Sequence, residues 1–209
     1  MDFNDKQIAI LKVAEQVISE KGFEAASIRE ISKKANINLA MVSYYFGSKE
    51  KLLEAMFILK SSEFRLNASI IVNDGELTSF QKIEKLTENY INKIFNNIAF
   101  HKIMVKEISF LDSTVVFEQI KKMKTANFEI INEVLQEGIE RGEFNAIVNT
   151  DHVISLVIGS ISHFALNEKY YRFKWDIDAS QDFAEQTKEK IKNQILYSLK
   201  AILTYNEGK

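Results

Sequence analysis

The sequence Ser27-Ile28-Arg29-Glu30-Ile31, followed by Asn36-Ile37-Asn38 and then Tyr44-Tyr45-Phe46-Gly47-Ser48-Lys49, sets the architecture of the 209-residue chain. It predicts two short helices joined by a tight turn, with a third helix starting directly behind them. Ser27 and Glu30 have the spacing of a capping box, in which two side chains satisfy two free backbone N–H groups. Asn36 can adopt the left-handed conformation that ends the first helix, and Asn38 can cap the second. Such a pair is typical of a helix-turn-helix, whose second helix enters the DNA major groove.

Apolar residues recur at helical spacing on one side of this segment. We expect them to face inward: Ile28, Ile31, Ala35, Ile37 and Val42. The outward set on the second helix is then almost uncharged: Leu39, Met41, Ser43, Tyr44 and Tyr45. Two adjacent tyrosines on such a surface favour contact with DNA. The alternative is that both rings are half-buried against the first helix, because a tyrosine can pack its ring and still offer its hydroxyl.

Two stretches, residues 22–31 and 44–52, resemble the amino-terminal domain of the TetR family of transcriptional regulators. The resemblance covers about residues 5–55 without gaps, with Asn36 where the family usually has Gly and Ser43 where Tyr is common. A weaker resemblance lies at residues 137–144, similar to a loop in many members. The resemblance implies an all-α fold: a helix-turn-helix three-helix DNA-binding domain, residues 1–50, and a larger helical effector-binding and dimerisation domain, residues 51–209.

The cationic side chains of this segment indicate where DNA would bind. Lys49 lies in the first turn of a helix, where the helix dipole disfavours a cation unless an anion binds nearby. We therefore expect a phosphate there; the alternative is a solvated lysine compensated by Glu50. Arg29 is the long donor best placed to read a guanine edge, unless it is an ordinary surface arginine. The predicted DNA-binding residues are Ser27, Arg29, Asn38, Leu39, Met41, Ser43, Tyr44, Tyr45 and Lys49.

Composition and charge agree with a helical DNA-binding protein. The chain has no proline and only seven glycines, so nothing interrupts long helices, and the absence of cysteine excludes disulfides and thiol chemistry. Residues 21–51 contain six basic and three acidic side chains, a local charge of +3 in a chain of net charge −2. A modest basic patch on an acidic body indicates local phosphate contact rather than a nonspecific nucleic-acid coat.

The remaining sequence predicts further helices and no sheet, because no segment shows sustained period-two alternation. The predicted helices cover about residues 5–20, 48–72, 78–95, a segment around Ile103, Val105 and Ile108, a long stretch ending near 140, 151–166 and 182–205. Asn73-Asp74-Gly75 is the clearest break, and Asp112-Ser113 is a predicted turn.

The segment 151–166 is apolar nearly all round and carries a stripe of small residues, so we expect it to be buried on every side. The TetR resemblance implies that the last two long helices pair with their copies in a second subunit. The predicted dimer interface is Ser155, Gly159, Ser162, Ile195 and Leu199. The alternative is that the stripe packs inside one subunit. A dimer has the two-fold symmetry of a palindromic operator.

Aromatic residues between Tyr90 and Trp175 form core in most positions, but a helical bundle this rich in them can enclose an apolar pocket. The predicted ligand-binding residues are Phe100, Met104, Phe117, Phe128, His163 and Tyr170. His152 and His163 lie about 16 Å apart on one helix face, too far apart to share a metal. No catalytic motif is present, so we predict no enzymatic activity, no cofactor and no metal.

Together these features predict a cytoplasmic, homodimeric regulator, released from a palindromic double-stranded DNA operator by a small apolar or aromatic effector. The alternative is an architectural or division-linked DNA-binding protein of the same fold that needs no effector. The longest uncharged run, residues 153–167, is too short to span a bilayer, and the acidic amino terminus is unlike a secretory signal, so we predict no membrane contact.

Overall fold

A computed structural model describes residues 3–98, 100–102, 105 and 114–205 of the chain. Within these residues there is no β-strand, and the predicted all-α class is confirmed. The helices are α1 (Asp5–Lys21), α2 (Ile28–Lys34), α3 (Leu39–Phe46), α4 (Lys49–Val72), α5 (Ser79–Phe95), α6 (Thr114–Glu140), α7 (Thr150–Leu166), α8 (Glu168–Lys174) and α9 (Phe183–Thr204).

Most of these helices begin where a short polar side chain can cap them. Asn4 with Gln7 and Thr78 with Gln81 form complete capping boxes at α1 and α5. The helix α8 was not predicted, since it has only seven residues and no side-chain cap. In the predicted helix around residue 105, Ile103 and Ile108 lie outside the described residues, as does the predicted turn Asp112-Ser113.

The chain divides into two compact units. The first contains the described residues up to Glu63 and those between Ala99 and Lys124. Its core is built on α1 by Ile10, Leu11, Ala14, Val17 and Ile18, joined by Ile31, Val42, Leu52 and Leu53. Ile31 and Val42, two of the predicted inward residues, are fully buried, and Ile28 and Ile37 pack against this core. The division at residue 50 stays a prediction.

The second unit contains Phe64–Ile98 and the described residues from Thr125 onward. Its core is made by α5, α6, α7 and α9, and its fully buried members include Leu135, Ile161, Ile191, Ile195 and Leu199. Ile195 and Leu199 were predicted to lie at a dimer interface. That prediction is wrong for both, because their side chains are already enclosed by the core of their own chain.

The loop after α6 explains the second stretch of family resemblance. A Cβ atom at Gly138 would lie 2.1 Å from the Phe144 ring, so only glycine fits there. The backbone N–H groups of Glu143 and Phe144 both donate to the Gly138 carbonyl, at 2.8 and 3.0 Å. Gly142 lies between Gly138 and these two donors and turns the chain with a φ of +71°, in the left-handed region that favours glycine. The motif therefore closes a tight turn over a buried ring.

Candidate DNA-binding surface

The turn between α2 and α3 has the geometry that its two asparagines predict. Asn36 has a φ of +53°, and its neighbour Ile37 donates a backbone hydrogen bond of 3.0 Å to the Ser32 carbonyl. Asn38 caps α3 by accepting a 2.9 Å hydrogen bond from the Ala40 N–H. Both conformational predictions are confirmed. The side-chain oxygen of Asn38 is thereby used in the cap, and the N–H groups of its side-chain amide stay available to a ligand.

The predicted capping box at the start of α2 is only half formed. The Ser27 hydroxyl oxygen accepts a 3.2 Å hydrogen bond from the Glu30 N–H, as predicted. The reciprocal bond is replaced by an ion pair between the Glu30 carboxylate and the Lys21 ammonium, at 2.5 Å. An opposite charge at the end of α1 thus competes with the local cap. The Ser27 O–H still has its own proton to donate.

The recognition helix α3 separates its residues into two classes. Val42 and Phe46 are buried, whereas Leu39, Ala40, Ser43 and Tyr44 are exposed. The two tyrosines differ: Tyr44 is 85% exposed, while Tyr45 is half-buried and packs against the core of the first unit. Tyr44 therefore fits the outward interpretation and Tyr45 the packing alternative. Met41 is also half-buried.

Lys49 makes contacts that the sequence did not reveal. Its ammonium donates to the carbonyls of Phe23 and Glu24, at 3.0 and 3.2 Å, and lies 4.5 Å from the centre of the Phe23 ring. These bonds join the start of α4 to the loop before α2. An ammonium has three N–H donors, so one remains after the two carbonyls are satisfied. Lys49 is therefore held by two carbonyls and is only half exposed, while its charge also acts on the neighbouring Glu50 carboxyl.

The charges around α3 favour an anionic partner. Arg29 and Lys33 on α2 and Lys51 on α4 are exposed, and none of the three has a side-chain hydrogen bond or ion pair within the described part of the chain. Hydrogen bonds from its own backbone N–H and from the Ser48 hydroxyl lower the pKa of the Glu50 carboxyl, and the Lys49 charge adds to this. Glu50 is therefore ionised at neutral pH, in the first turn of α4, where the helix dipole favours a negative charge.

Comparison with known proteins identifies the segment that forms this surface. Residues 10–56 match the model of the bacterial regulatory proteins of the tetR family. The chain thus carries a tetR-family DNA-binding domain. TetR-family proteins are DNA-binding transcriptional regulators rather than enzymes, so the prediction of no enzymatic activity is confirmed on this ground.

Individual known proteins match over most of the chain. The probable transcriptional regulator YttP of Bacillus subtilis is 26% identical over 140 residues, which are 65% of this chain and 65% of that protein. The fatty acid degradation regulator FadR of Bacillus halodurans has the same fold, with a TM-score of 0.75 and 20% identity over 95% of this chain and 98% of that one. FadR of Bacillus subtilis was solved in complex with stearoyl-CoA. It matches with a TM-score of 0.71 and 17% identity, over 90% of this chain and 97% of that one.

Two of the three small residues of the α7 stripe face outward within their own chain. Ser155 and Gly159 are exposed, and a Cβ atom at Gly159 would meet nothing within 4 Å. Exposed Ile158 and Leu166 lie on the same helix, so α7 is not buried on every side within its own chain. The alternative of a stripe packed inside one subunit is wrong for Ser155 and Gly159. Ser162, the third predicted member, is half-buried.

The six predicted ligand-binding residues are not brought together. Phe100 packs against the core of the first unit, and Phe117 in the same unit is 60% exposed. Met104 lies outside the described residues. Phe128, His163 and Tyr170 belong to the second unit, where Phe128 is half-buried and the other two are exposed. A single pocket shared by all six is therefore not supported.

The second unit contains an aromatic cluster that the sequence predicted only in part. Tyr171 packs its ring 4.6 Å from those of both Phe164 and Trp175, and its hydroxyl lies 3.0 Å from Nε2 of His163. Tyr171 and Trp175 are four residues apart, a same-face helical spacing, whereas Phe164 lies on α7 before the helix break at Asn167. Predicted Tyr170 lies beside it, 54% exposed.

The described residues contain neither a metal site nor a membrane-spanning helix. No group of three or more His, Asp or Glu side chains there could hold a metal ion. Among the helices described, none is both long enough and apolar enough to cross a membrane.

Proposed function

We propose that this TetR-family regulator is a homodimeric repressor, released from a palindromic operator by a small apolar or aromatic effector. The observation that carries the proposal is the outward face of α3, where a capped and well-anchored helix exposes Leu39, Ala40, Ser43 and Tyr44. A helix held in this way can enter the major groove without rearranging. The proposed division of labour is DNA binding by residues 1–50 and effector binding and dimerisation by residues 51–209.

We assign the contacts by chemistry. Arg29 reads one guanine edge, because a guanidinium can donate two bonds to its O6 and N7 atoms. The Ser27 hydroxyl, the Tyr44 hydroxyl and the third N–H of Lys49 contact phosphates, which fix the position of α3 in the groove. Leu39 and Met41 meet thymine methyl groups, while Ser43 hydrogen-bonds to bases without discriminating strongly. Asn38 and Tyr45 act mainly by holding α3 in place.

The proposed dimer uses the exposed face of α7. Ser155, Gly159 and Ser162 let a second helix approach closely, and Ile158 and Leu166 supply apolar area that one chain leaves exposed. From α9 the corresponding surface residue is Tyr197, which is exposed, in place of Ile195 and Leu199. A two-fold axis here would present two copies of α3 to two operator half-sites.

The proposed effector acts from the second unit. Its core is apolar and aromatic, and a relative of the same fold was solved with stearoyl-CoA, which carries a long apolar chain. Because α4 is one helix that contributes residues to both units, it is the natural carrier of a change in the spacing of the recognition helices. An effector that binds one of two states better shifts the population toward that state. Such a regulator acts in the cytoplasm, where bacterial DNA is.

A promoter footprint beside the protein's own coding region tests the proposal most directly. We expect protection of a palindromic site by a dimer, and loss of protection when an apolar effector is added. Sedimentation of the free protein gives the oligomeric state independently. Protection that no compound in a broad screen relieves, with constant occupancy in cells, would favour the effector-independent architectural role instead.

A further inference from the structure

Two buried amide atoms in the second unit have no hydrogen-bond partner. They are Nδ2 of Asn89, on α5, and Oδ1 of Asn127, on α6, and each has less than 1 Å² of accessible surface. Buried polar atoms in proteins are almost always paired, and leaving one unpaired costs free energy. One of the two atoms is a donor and the other an acceptor. A pair of this kind calls for a partner group.

The ionic contacts at one end of α5 and α6 place the two amides at nearly the same level. The Ser79 hydroxyl and the Phe80 N–H donate to Glu143, each at 3.3 Å, and Lys82 donates to Glu137. The beginning of α5 thus meets the end of α6, which is the order expected of antiparallel helices. At 1.5 Å per residue, Asn89 lies about 10 Å beyond Lys82 along α5, and Asn127 lies about 15 Å beyond Glu137 in the same direction. One small polar group can bridge a difference of about 5 Å by two hydrogen bonds.

The surroundings of the two amides are apolar. On α5, Ile83 and Leu86 are buried in the second core; on α6, Ile130 and Ile131 pack against it. Burial raises the pKa of the hydroxyl of Tyr90, the next residue on α5, to about 12. A hydrogen bond formed in such a place is stronger than one formed in water.

We propose that Asn89 and Asn127 form a polar subsite that binds a neutral hydroxyl or primary amide group on an otherwise apolar effector. Asn89 donates an N–H to this group and Asn127 accepts its proton, so the group must accept and donate at once. A carboxylate only accepts, and it would place its charge against the Asn127 oxygen. The inference rests on the proposed effector function and adds the chemical class of the ligand and two residues that select it.

The first test measures the ligand-free protein. Asn89→Leu and Asn127→Leu each replace an unpaired polar group by an apolar one of similar size, so both should raise the thermal unfolding temperature. Asn92→Leu is the matched control, because Asn92 is an exposed residue of α5 and the change brings the same gain in helix propensity. The unfolding temperature should rise more in both variants than in the Asn92→Leu control. A lower unfolding temperature in either would show that the amide has a structural partner and would overturn the proposal.

The second test measures binding by calorimetry, with decan-1-ol as the probe and decanoate as the comparison. We expect the full-length protein to bind decan-1-ol more tightly than decanoate. Each buried substitution should weaken decan-1-ol binding about tenfold, since one hydrogen bond is lost. Asn92→Leu should leave it unchanged. No binding of decan-1-ol, tighter binding of decanoate, or equal affinity in all variants would overturn the subsite.

An operator-binding assay on the same samples separates this inference from the proposed function. If decan-1-ol binds through the two asparagines but leaves operator affinity unchanged, the subsite stands and effector-controlled release fails. If operator affinity falls on adding the alcohol to the unmodified protein and the asparagine variants resist the effect, both stand.

Discussion

The Lys82 ammonium donates to both carboxylate oxygens of Glu137, at 3.0 and 2.8 Å, with only 5% of the lysine side chain exposed. Glu137 also accepts a 2.7 Å ion pair from Arg141, one turn along α6. Glu143, just beyond that helix, accepts from the Phe80 N–H at the start of α5. These contacts join the beginning of α5 to the end of α6. The pair is asymmetric. Glu137 has a second cationic partner, Arg141, whereas Lys82 has no second anionic partner among the described residues.

That asymmetry predicts unequal effects of removing the two partners. Glu137→Ala leaves a buried ammonium unpaired and should lower the free energy of unfolding by about 3 kcal/mol. Lys82→Met keeps the packing of the lysine stem and leaves Glu137 with Arg141, so we expect a loss of about 1 kcal/mol. Urea unfolding measures both. Lys121→Met breaks an exposed pair at 3.9 Å and is the control, with an expected change of less than about 0.5 kcal/mol. Equal losses in the first two variants would contradict this account.

Lys49 should affect DNA binding in two separable ways. Lys49→Met removes the bonds to the Phe23 and Glu24 carbonyls, so operator affinity should fall because α2 is held less firmly. If the third N–H also contacts a phosphate, the salt dependence of binding should become shallower by about one unit per half-site. Titrations at several salt concentrations measure both effects. Lys200→Met, an exposed change of the same charge on α9, is the control. A lower affinity with an unchanged slope would limit Lys49 to its structural role.

The two tyrosines of α3 should behave differently on substitution. Tyr44→Ala removes a ring that packs on little, so we expect stability to change by less than about 0.5 kcal/mol and binding to all DNA sequences to weaken alike. Tyr45→Ala removes a half-buried ring and should lower the free energy of unfolding by about 2 kcal/mol. Thermal unfolding and binding to operator and random DNA measure the pair. The reverse pattern of stabilities would show that the two rings have been assigned the wrong way round.

Local chemistry made the helix-turn-helix readable from the sequence. Asn36, Asn38 and Ser48 each act on backbone groups within three residues, so their roles follow from spacing alone. Contacts between distant segments were not readable in this way. The Glu30 carboxylate forms an ion pair with Lys21 instead of completing the capping box. Lys49 donates to carbonyls about 25 residues away in the sequence. Nothing in the local pattern indicates which of several partners a long charged side chain will choose.

The helical pattern of α9 shows a second limit. Ile195 and Leu199 lie on the apolar face of this helix, and periodicity identifies such a face correctly. Periodicity does not say whether the face meets the same chain or a second copy, since both environments are apolar. On α7 the small residues indicate close approach, and the single chain leaves Gly159 open. Small residues that remain exposed are therefore a better guide to an interface than apolar residues that lie in the core.

Gly159 provides the test of the proposed dimer. Because a Cβ atom at this position would meet nothing within 4 Å and Gly159 is exposed in the single chain, we expect Gly159→Leu to fold, with a small gain in helix propensity. In a dimer packed through this face, the larger side chain should separate the helices and yield folded monomers. Circular dichroism and sedimentation velocity distinguish this result from unfolding. Gly159→Ala is the graded control and should weaken the dimer less. A stable dimer with normal operator affinity in the leucine variant would place the interface elsewhere.

The exposed face of α3 makes a specific prediction about the operator. Leu39, Ala40 and Met41 offer no bidentate hydrogen bonds to base edges, so they can recognise only thymine methyl groups. Direct reading of guanine then depends on Arg29, which is exposed and has no ion-pair partner among the described residues. We expect a palindromic, A·T-rich operator with one strongly required G·C pair in each half-site, and part of the specificity drawn from DNA shape.

Arg29→Ala should relax the preference at that one pair by about 1–3 kcal/mol and leave the other positions unchanged. Lys33→Ala is the matched control, because Lys33 is an exposed cation on the same helix, and it should weaken binding to all sequences alike. Selection of binding sites from a random DNA pool, with the wild-type protein and both variants, measures every position at once. A G·C-rich consensus would contradict the role of the apolar α3 face, because thymine methyls would then be absent from the site. Base preferences that survive the loss of Arg29 would move guanine recognition to another side chain.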